Sequence, residues 1–402
     1  MRLLSVLPAI TIAALLDGAT APAIAQEADS TTRHSVVQEE QAAKVLTLQP
    51  YVPTKGERLM DRVENMLLGT PTWHPFFENA YNGGGFAPGL GYMFHTSSYN
   101  SLDVRGSYSL ADYKRAEAEF VAPRLFHRRG ELSVLAGWRD ATQVGFWGFG
   151  TNTSPDARAN FGFEQPHASA LLTVRPTRQL LMLRGGTEFA RWNLKSGTGG
   201  PSVDTIYTPE TLPGWGTNTT YLHTQATVGL DWRPAQGYAR RGGFYGVTAH
   251  DFYDKDSRFG FRQVDYEVIQ HIPILRESWV ISLRGLAQTT SRKDNEQIPF
   301  YLMPSLGGGS NLRGYSSWRF RDRNSLLLQA EWRIMANRFF DTAVFYDAGK
   351  VTAHAKDLDL DGLKTDYGFG ARFHTPFSTP LRIDIAKSRD ELRLVFAATA
   401  AF

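Results

Sequence analysis

From residue 73 to the C terminus the chain alternates apolar and polar side chains with a period of two, in runs separated by turn-forming stretches, the pattern of strands with one apolar face. The final run is clearest: Leu392, Leu394, Phe396, Ala398, Ala400 and Phe402 share one face, with Arg393 and Thr399 on the other. Before it, Leu381, Ile383 and Ile385 oppose Arg382 and Asp384, and Tyr367, Phe369, Ala371 and Phe373 oppose Arg372. Counted backward from Phe402, strands are predicted at 391-402, 380-387, 364-373, 340-349, 324-334, 277-290, 259-272, 242-254, 219-233, 179-193, 161-175, 131-149, 114-123, 99-110, 86-94 and 73-82. Connections 194-218, 291-323 and 350-363 are long and fall on one side, whereas 176-178, 273-276 and 335-339 are short and fall on the other. Long extracellular loops, short periplasmic turns and an even strand count, which puts both termini in the periplasm, belong to bacterial outer-membrane barrels.

The predicted fold is therefore all-β: a 16-stranded antiparallel transmembrane β-barrel over residues 73-402, with a short N-terminal helix. Leu59, Val63, Met66 and Leu67 fall at i, i+4, i+7 and i+8 and mark that amphipathic helix over 56-68, either a plug for the lumen or a local cap. Residues 1-25 read as a signal peptide, with Arg2, an apolar run from Leu3 to Leu16 and the small-residue site Ala23, Ile24, Ala25. Residues 26-72, Glu- and Gln-rich before the helix, form a periplasmic lead.

Composition narrows the setting. After the signal no stretch reaches the ~20 apolar residues of a spanning helix. Instead there are 25 Phe, 16 Tyr, 9 Trp and 37 Gly, a mixture that suits half-apolar barrel strands and, less specifically, a secreted soluble β-protein. With no cysteine, an exported chain has no disulfide framework and depends on closed hydrogen bonding. A net charge of +3 gives no reason to expect nucleic acid or an acidic partner. The expected location is the bacterial outer membrane and the expected medium its lipid. Phe396 and the terminal Phe402 form the C-terminal assembly signal expected to be read by barrel-assembly machinery during biogenesis.

The densest candidate chemistry lies in loop 291-323 and the two strands that follow it. Gly307, Gly308, Gly309 and Gly314 surround Arg313, with Tyr315 next, and alternation turns Gln329, Glu331 and Arg333 inward on one strand and Asp347 on its neighbour. A guanidinium on a glycine-rich loop could tuck into the lumen and pair with both carboxylates through its planar fork of donors. The plain alternative is a solvated Arg313 above carboxylates that line a wet pore.

The runs "LGGGSNLRGY", "AEWR" and "FYDAGKV", and the ending "YGFGARFHTPFSTPLRIDIAKSRDELRLVFAATAAF", resemble the C-terminal half of the Omp85 superfamily barrel, the bacterial surface antigen D15 type that includes BamA and TamA. The match is dense over 300-402 and thinner at 146-161 and 231-245. The resemblance implies that the Arg of the sixth extracellular loop, here Arg313, reaches acids on strands twelve and thirteen, here Glu331 and Asp347. It further implies insertion of outer-membrane proteins or translocation of polypeptide, with unfolded outer-membrane or secreted chains as partners. Members that do this carry periplasmic POTRA domains, and residues 26-72 are too few for one. A passive or plugged pore for small solutes is therefore kept as the alternative.

Other signals are weaker. Asp357, Asp359, Asp361 and Gly362 imitate the start of an EF-hand, but Gly368 stands where the bidentate Glu belongs, so no metal is expected. The glycine run at 307-309 lacks a phosphate-loop ending, and no H-E-x-x-H occurs. No cofactor and no enzymatic activity are expected. His223 and His250, the latter beside Asp251, are the positions to inspect for a hydrolase.

Overall fold

The computed structural model describes residues 72–177, 180–293, 295–337 and 339–402. The expected signal peptide, the expected lead to residue 71 and the helix predicted over 56-68 lie outside the described residues. No described helix is long and apolar enough to cross a membrane.

The strands are β1 (Trp73–Phe76), β2 (Gly89–His95), β3 (Ser101–Tyr108), β4 (Lys114–Arg124), β5 (Gly130–Phe146), β6 (Ala159–Val174), β7 (Leu181–Ser196), β8 (Thr219–Asp231), β9 (Gly242–Asp254), β10 (Phe261–Ile274) and β11 (Trp279–Arg292). After the small loop hairpin of β12 (Ser305–Leu306) and β13 (Phe320–Arg321) come β14 (Asn324–Asn337), β15 (Phe340–Thr352), β16 (Lys364–Phe373), β17 (Leu381–Ser388) and β18 (Leu392–Ala397). Sixteen of them make one antiparallel sheet in which sequence neighbours are sheet neighbours, β11 pairing with β14 across the hairpin. All sixteen predicted strands are present, and the fold is the expected barrel.

Alternation sorts the side chains as the sequence implies. On β14, Trp332 is 41% exposed while its neighbour Glu331 is 4% exposed, and on β15 Val344 and Tyr346 are exposed while Phe345 and Asp347 are buried. The large exposed residues are the lipid face, where apolar groups cost nothing to leave uncovered by protein. Trp279–Trp332, Trp232–Tyr245 and Phe340–Phe373 ring pairs, with centroids 5.3, 4.9 and 5.2 Å apart, stand at the turn ends of their strands and form an aromatic girdle. The buried apolar cluster sits at the opposite, long-loop end, where Phe146, Phe161, Phe163, Trp192, Phe300 and Tyr301 pack together.

Two ends differ from expectation. The first strand, predicted over 73-82, stops at Phe76, because the chain leaves the sheet toward a loop in which Gly83 and Gly85 take φ of +99° and +72°. The last, predicted over 391-402, stops at Ala397. Phe396 points outward as expected, at 64% exposure, but Phe402 does not share its face. It packs against Met182, Phe244 and Ile269 and stacks on His271, all on the lumen side of strands across the barrel. Alanines 397, 398, 400 and 401 gain little from lipid, whereas Phe402 gains an apolar pocket, so the tail turns in.

Strand length is uneven. β5 to β11 run 13 to 17 residues, while β1 has 4, β17 has 8 and β18 has 6. Among the described residues β1 pairs only with β2 and β18 only with β17, so the sheet's two ends carry open edges.

Phe369 lies mid-strand on β16, 60% exposed, facing lipid. Phe369→Arg is expected to cost about 2–4 kcal/mol of folding free energy in vesicles, read from urea unfolding, because a charge on the lipid face must leave water. A loss below about 0.5 kcal/mol would mean that this face is wet.

Candidate functional site

The connection from β11 to β14, described at 293 and 295-323, folds into the lumen and not away from it. Its apolar residues explain the path: Leu306, Leu312, Tyr315 and Phe320 are buried against Leu327 and Val351 of the inner wall. Glycines make the turn sterically accessible. Gly307 and Gly308 have φ of +111° and +110°, a region that other residues rarely occupy. At Gly314 a side chain is excluded by contact, since a Cβ would lie 2.7 Å from the Cβ of Asp366 and 3.0 Å from the backbone nitrogen of Ser388.

Arg313, at the loop tip, is fully buried. Its Nε donates to Asp347 Oδ2 at 2.7 Å and its Nη2 to Asp347 Oδ1 at 2.8 Å, a bidentate fork, while Nη1 donates to Glu331 Oε2 at 2.8 Å. Asp384 Oδ2 lies 3.6 Å from Nη1, and the guanidinium carbon sits 3.5 Å from the centre of the Phe345 ring. The structure thus brings together Arg313, Glu331 and Asp347, three residues singled out in the sequence.

The cluster extends beyond those three. Arg372 donates to Glu331 at 2.7 Å through Nη2 and to Asp384 at 2.5 Å through Nη1. Gln329 donates to Asp347 Oδ1 at 3.1 Å and to the carbonyl of Asn311 at 2.9 Å. Arg382 donates to the carbonyl of Gly309. Burying charges is costly in a low-dielectric interior unless each finds partners, and here the carboxylates and guanidinium groups alternate. Arg372, Arg382 and Asp384 had an inward address in the strand alternation; what sequence could not supply was the register, which sets Gln329 opposite Asp347 and Arg372 opposite Arg382.

Around Arg313 the loop touches each of the last five strands in turn. Arg313 reaches Glu331 on β14 and Asp347 on β15, and the Tyr315 hydroxyl donates to the carbonyl of Thr365 on β16 at 3.2 Å. Gly309 accepts from Arg382 on β17, and Tyr315 accepts at its carbonyl from Arg393 on β18. Ser316 and Arg319 add bonds of 2.7 and 2.8 Å to Glu391 and Asp390 in the β17–β18 connection. Arg321, by contrast, is fully buried among Phe161, Phe300 and Trp318 with one side-chain hydrogen bond among the described residues, to the Phe300 carbonyl at 2.9 Å, and burial pulls its pKa down to about 10.

The remaining candidates are brought together only in part. His223 Nε2 lies 3.0 Å from His250 Nδ1, with Glu188 and Asp265 at 3.5 and 3.6 Å on either side, but Asp251 points the other way and pairs with Lys293 at 2.8 Å. His271 and Ser282 are 2.8 Å apart, yet Arg333 donates to the same hydroxyl at 3.2 Å and Phe402 covers the ring. In the acidic loop, the ammonium of Lys350 takes Asp359 at 2.5 Å and the Asp361 carbonyl at 2.9 Å. Below the loop tip is a chamber of about 630 Å³ whose lining includes Arg184, Arg284, Asp265 and Glu267, with Ser310 and Asn311 on one side and residues 399-402 on another.

Comparison with known proteins agrees with this architecture. The model of the Omp85 superfamily domain matches residues 98–393. Comparison with curated proteins gives no match. Among solved structures, BamA from Haemophilus ducreyi lacking POTRA domains 1-3 superposes with a TM-score of 0.58 at 16% identity, covering 81% of this chain and 68% of that one. CdiB from Acinetobacter baumannii gives a TM-score of 0.49 at 11% identity, covering 77% of this chain and 56% of that one.

Arg313→Ala leaves Asp347 without its cation and is expected to cost about 3–5 kcal/mol, the usual consequence of orphaning a buried charge. Urea unfolding and the heat-modifiability shift on a gel measure it, and an unchanged midpoint would contradict the geometry. Gly314→Ala, which forces a Cβ against Asp366 and Ser388, is expected to cost about 1–3 kcal/mol and to expose the loop to protease.

Proposed function

Because the chain belongs to the Omp85 superfamily, we propose that it is an outer-membrane barrel that inserts barrel proteins into the membrane or passes polypeptide across it, working at the edge between β1 and β18. One observation carries the reading: among the described residues the first and last strands, of 4 and 6 residues, each pair with one neighbour, where a sealed cylinder would have a sixteenth ladder. Unpaired backbone N–H and C=O groups are costly in hydrocarbon, and an extended incoming segment satisfies them by adding as a strand. Its clients would be unfolded outer-membrane or secreted polypeptides, and the chain itself would enter the membrane through barrel-assembly machinery, with Phe396 in its signal.

In this reading the Arg313 cluster is a lock. By binding β14 to β18 through one loop, it holds the wall up to and including the edge strand β18, whose outer backbone side has no strand partner among the described residues. Gly314 and Tyr315 seat the loop, and Arg372 and Asp384 extend the lock to the neighbouring strands.

The chamber beneath the loop supports a second reading, a plugged pore for small solutes, since arginines and carboxylates both line it. Two measurements separate the readings. Full-length protein in vesicles is expected to speed the folding of a urea-denatured barrel client over bare vesicles, and equal rates would remove the first. In planar bilayers a steady current from the wild type, or from a form lacking residues 307-316, supports the pore, and silence from both removes it.

A further inference from the structure

The connections at the turn end of the barrel are strongly basic. Among the described residues they hold seven arginines and one acid, Glu277, while the connections at the other end hold ten basic residues and thirteen acids. Four of the seven are engaged within the fold. Arg175 and Arg233 reach Asp231 at 3.2 and 3.0 Å, Arg240 donates to the Tyr238 hydroxyl, and Arg241 lies 3.4 Å from Glu277. The other three, Arg128, Arg129 and Arg276, are exposed and form no ion pair among the described residues.

Their settings are alike. Arg128 and Arg129 end the turn after β4, beside Phe126, which is 57% exposed, and Arg276 is in the turn after β10, beside Leu275, which is 60% exposed. Both turns carry three successive residues at positive φ, Phe126 to Arg128 at 51°, 58° and 67° and Leu275 to Glu277 at 47°, 58° and 69°. Glycine or asparagine would adopt that backbone at lower cost, yet bulky and cationic side chains stand there. Arg276 lies three residues from Trp279 in the girdle, so these tips are at the depth of the lipid headgroups.

We propose that these tips bind the phosphates of anionic phospholipids in the periplasmic leaflet, with Phe126 and Leu275 entering the acyl boundary and the arginines holding the headgroups. A guanidinium forks onto phosphate oxygens, and its hydrocarbon stem tolerates the interface. The apolar neighbours favour lipid over an acidic protein, which would offer them no hydrocarbon. The arc runs from the β4–β5 turn to the β10–β11 turn; among the described residues the turns beside the open edge, β2–β3 and β16–β17, contribute no arginine. Anionic lipid therefore anchors the tall wall and leaves the seam side free.

The test is native mass spectrometry of the full chain released from nanodiscs with equal phosphatidylglycerol and phosphatidylcholine. The wild type is expected to retain phosphatidylglycerol preferentially, and Arg128→Gln/Arg129→Gln/Arg276→Gln to lose roughly tenfold of that preference while keeping its heat-modifiability shift. Arg158→Gln/Lys255→Gln/Lys356→Gln, an equal charge change at the opposite end, is expected to keep it. No preference in the wild type, or equal loss in both variants, overturns the proposal. So does binding of polyglutamate in neutral nanodiscs, abolished by the first variant, without any lipid preference, which would assign the tips to an acidic protein.

Discussion

A strand in hydrocarbon has no water to satisfy its amides, so every backbone donor and acceptor must find another strand. That requirement governs the molecule. It forces the sixteen strands into continuous antiparallel ladders and makes an edge left unpaired, as β1 and β18 are among the described residues, costly in hydrocarbon. The lumen charges raise a problem of the same kind, because carboxylates and guanidinium groups packed inside need one another as much as the amides do. Arg313 meets that need for Asp347 and shares Glu331 with Arg372, so the loop is held by electrostatics where the wall is held by hydrogen bonds.

Much of this was written in the alternation. Tyr367, Phe369 and Phe373 against Arg372, or Trp332 against Glu331, give inside and outside for each residue without knowledge of its neighbours, because the side-chain period of a strand is two. The strand count came from the same source. Register did not: that Arg372 meets both Glu331 and Asp384 depends on how far one strand slides along the next, and no local pattern encodes it.

The strand ends were legible only in part, for a different reason. Periodicity continues through Ala398, Ala400 and Phe402 although pairing stops at Ala397, because the pattern records what a side chain prefers and not whether a partner strand is present. The pocket of Met182, Phe244 and Ile269 that draws Phe402 inward is formed by three distant strands. The pairing of Arg313 with its acids was open on spacing alone. Its burial follows from Leu312 and Tyr315 on either side of it, which carry the loop into the wall by apolar contact before any charge is met.

The tail has a mechanical consequence. Residues 399-402 form part of the floor of the chamber and are continuous with β18, whose Val395 packs where Gly309 leaves room at the loop tip. Any rotation that peels β18 from β17 also draws the floor out from under the chamber. The last strand and the chamber floor are one continuous piece of chain, so neither moves without the other.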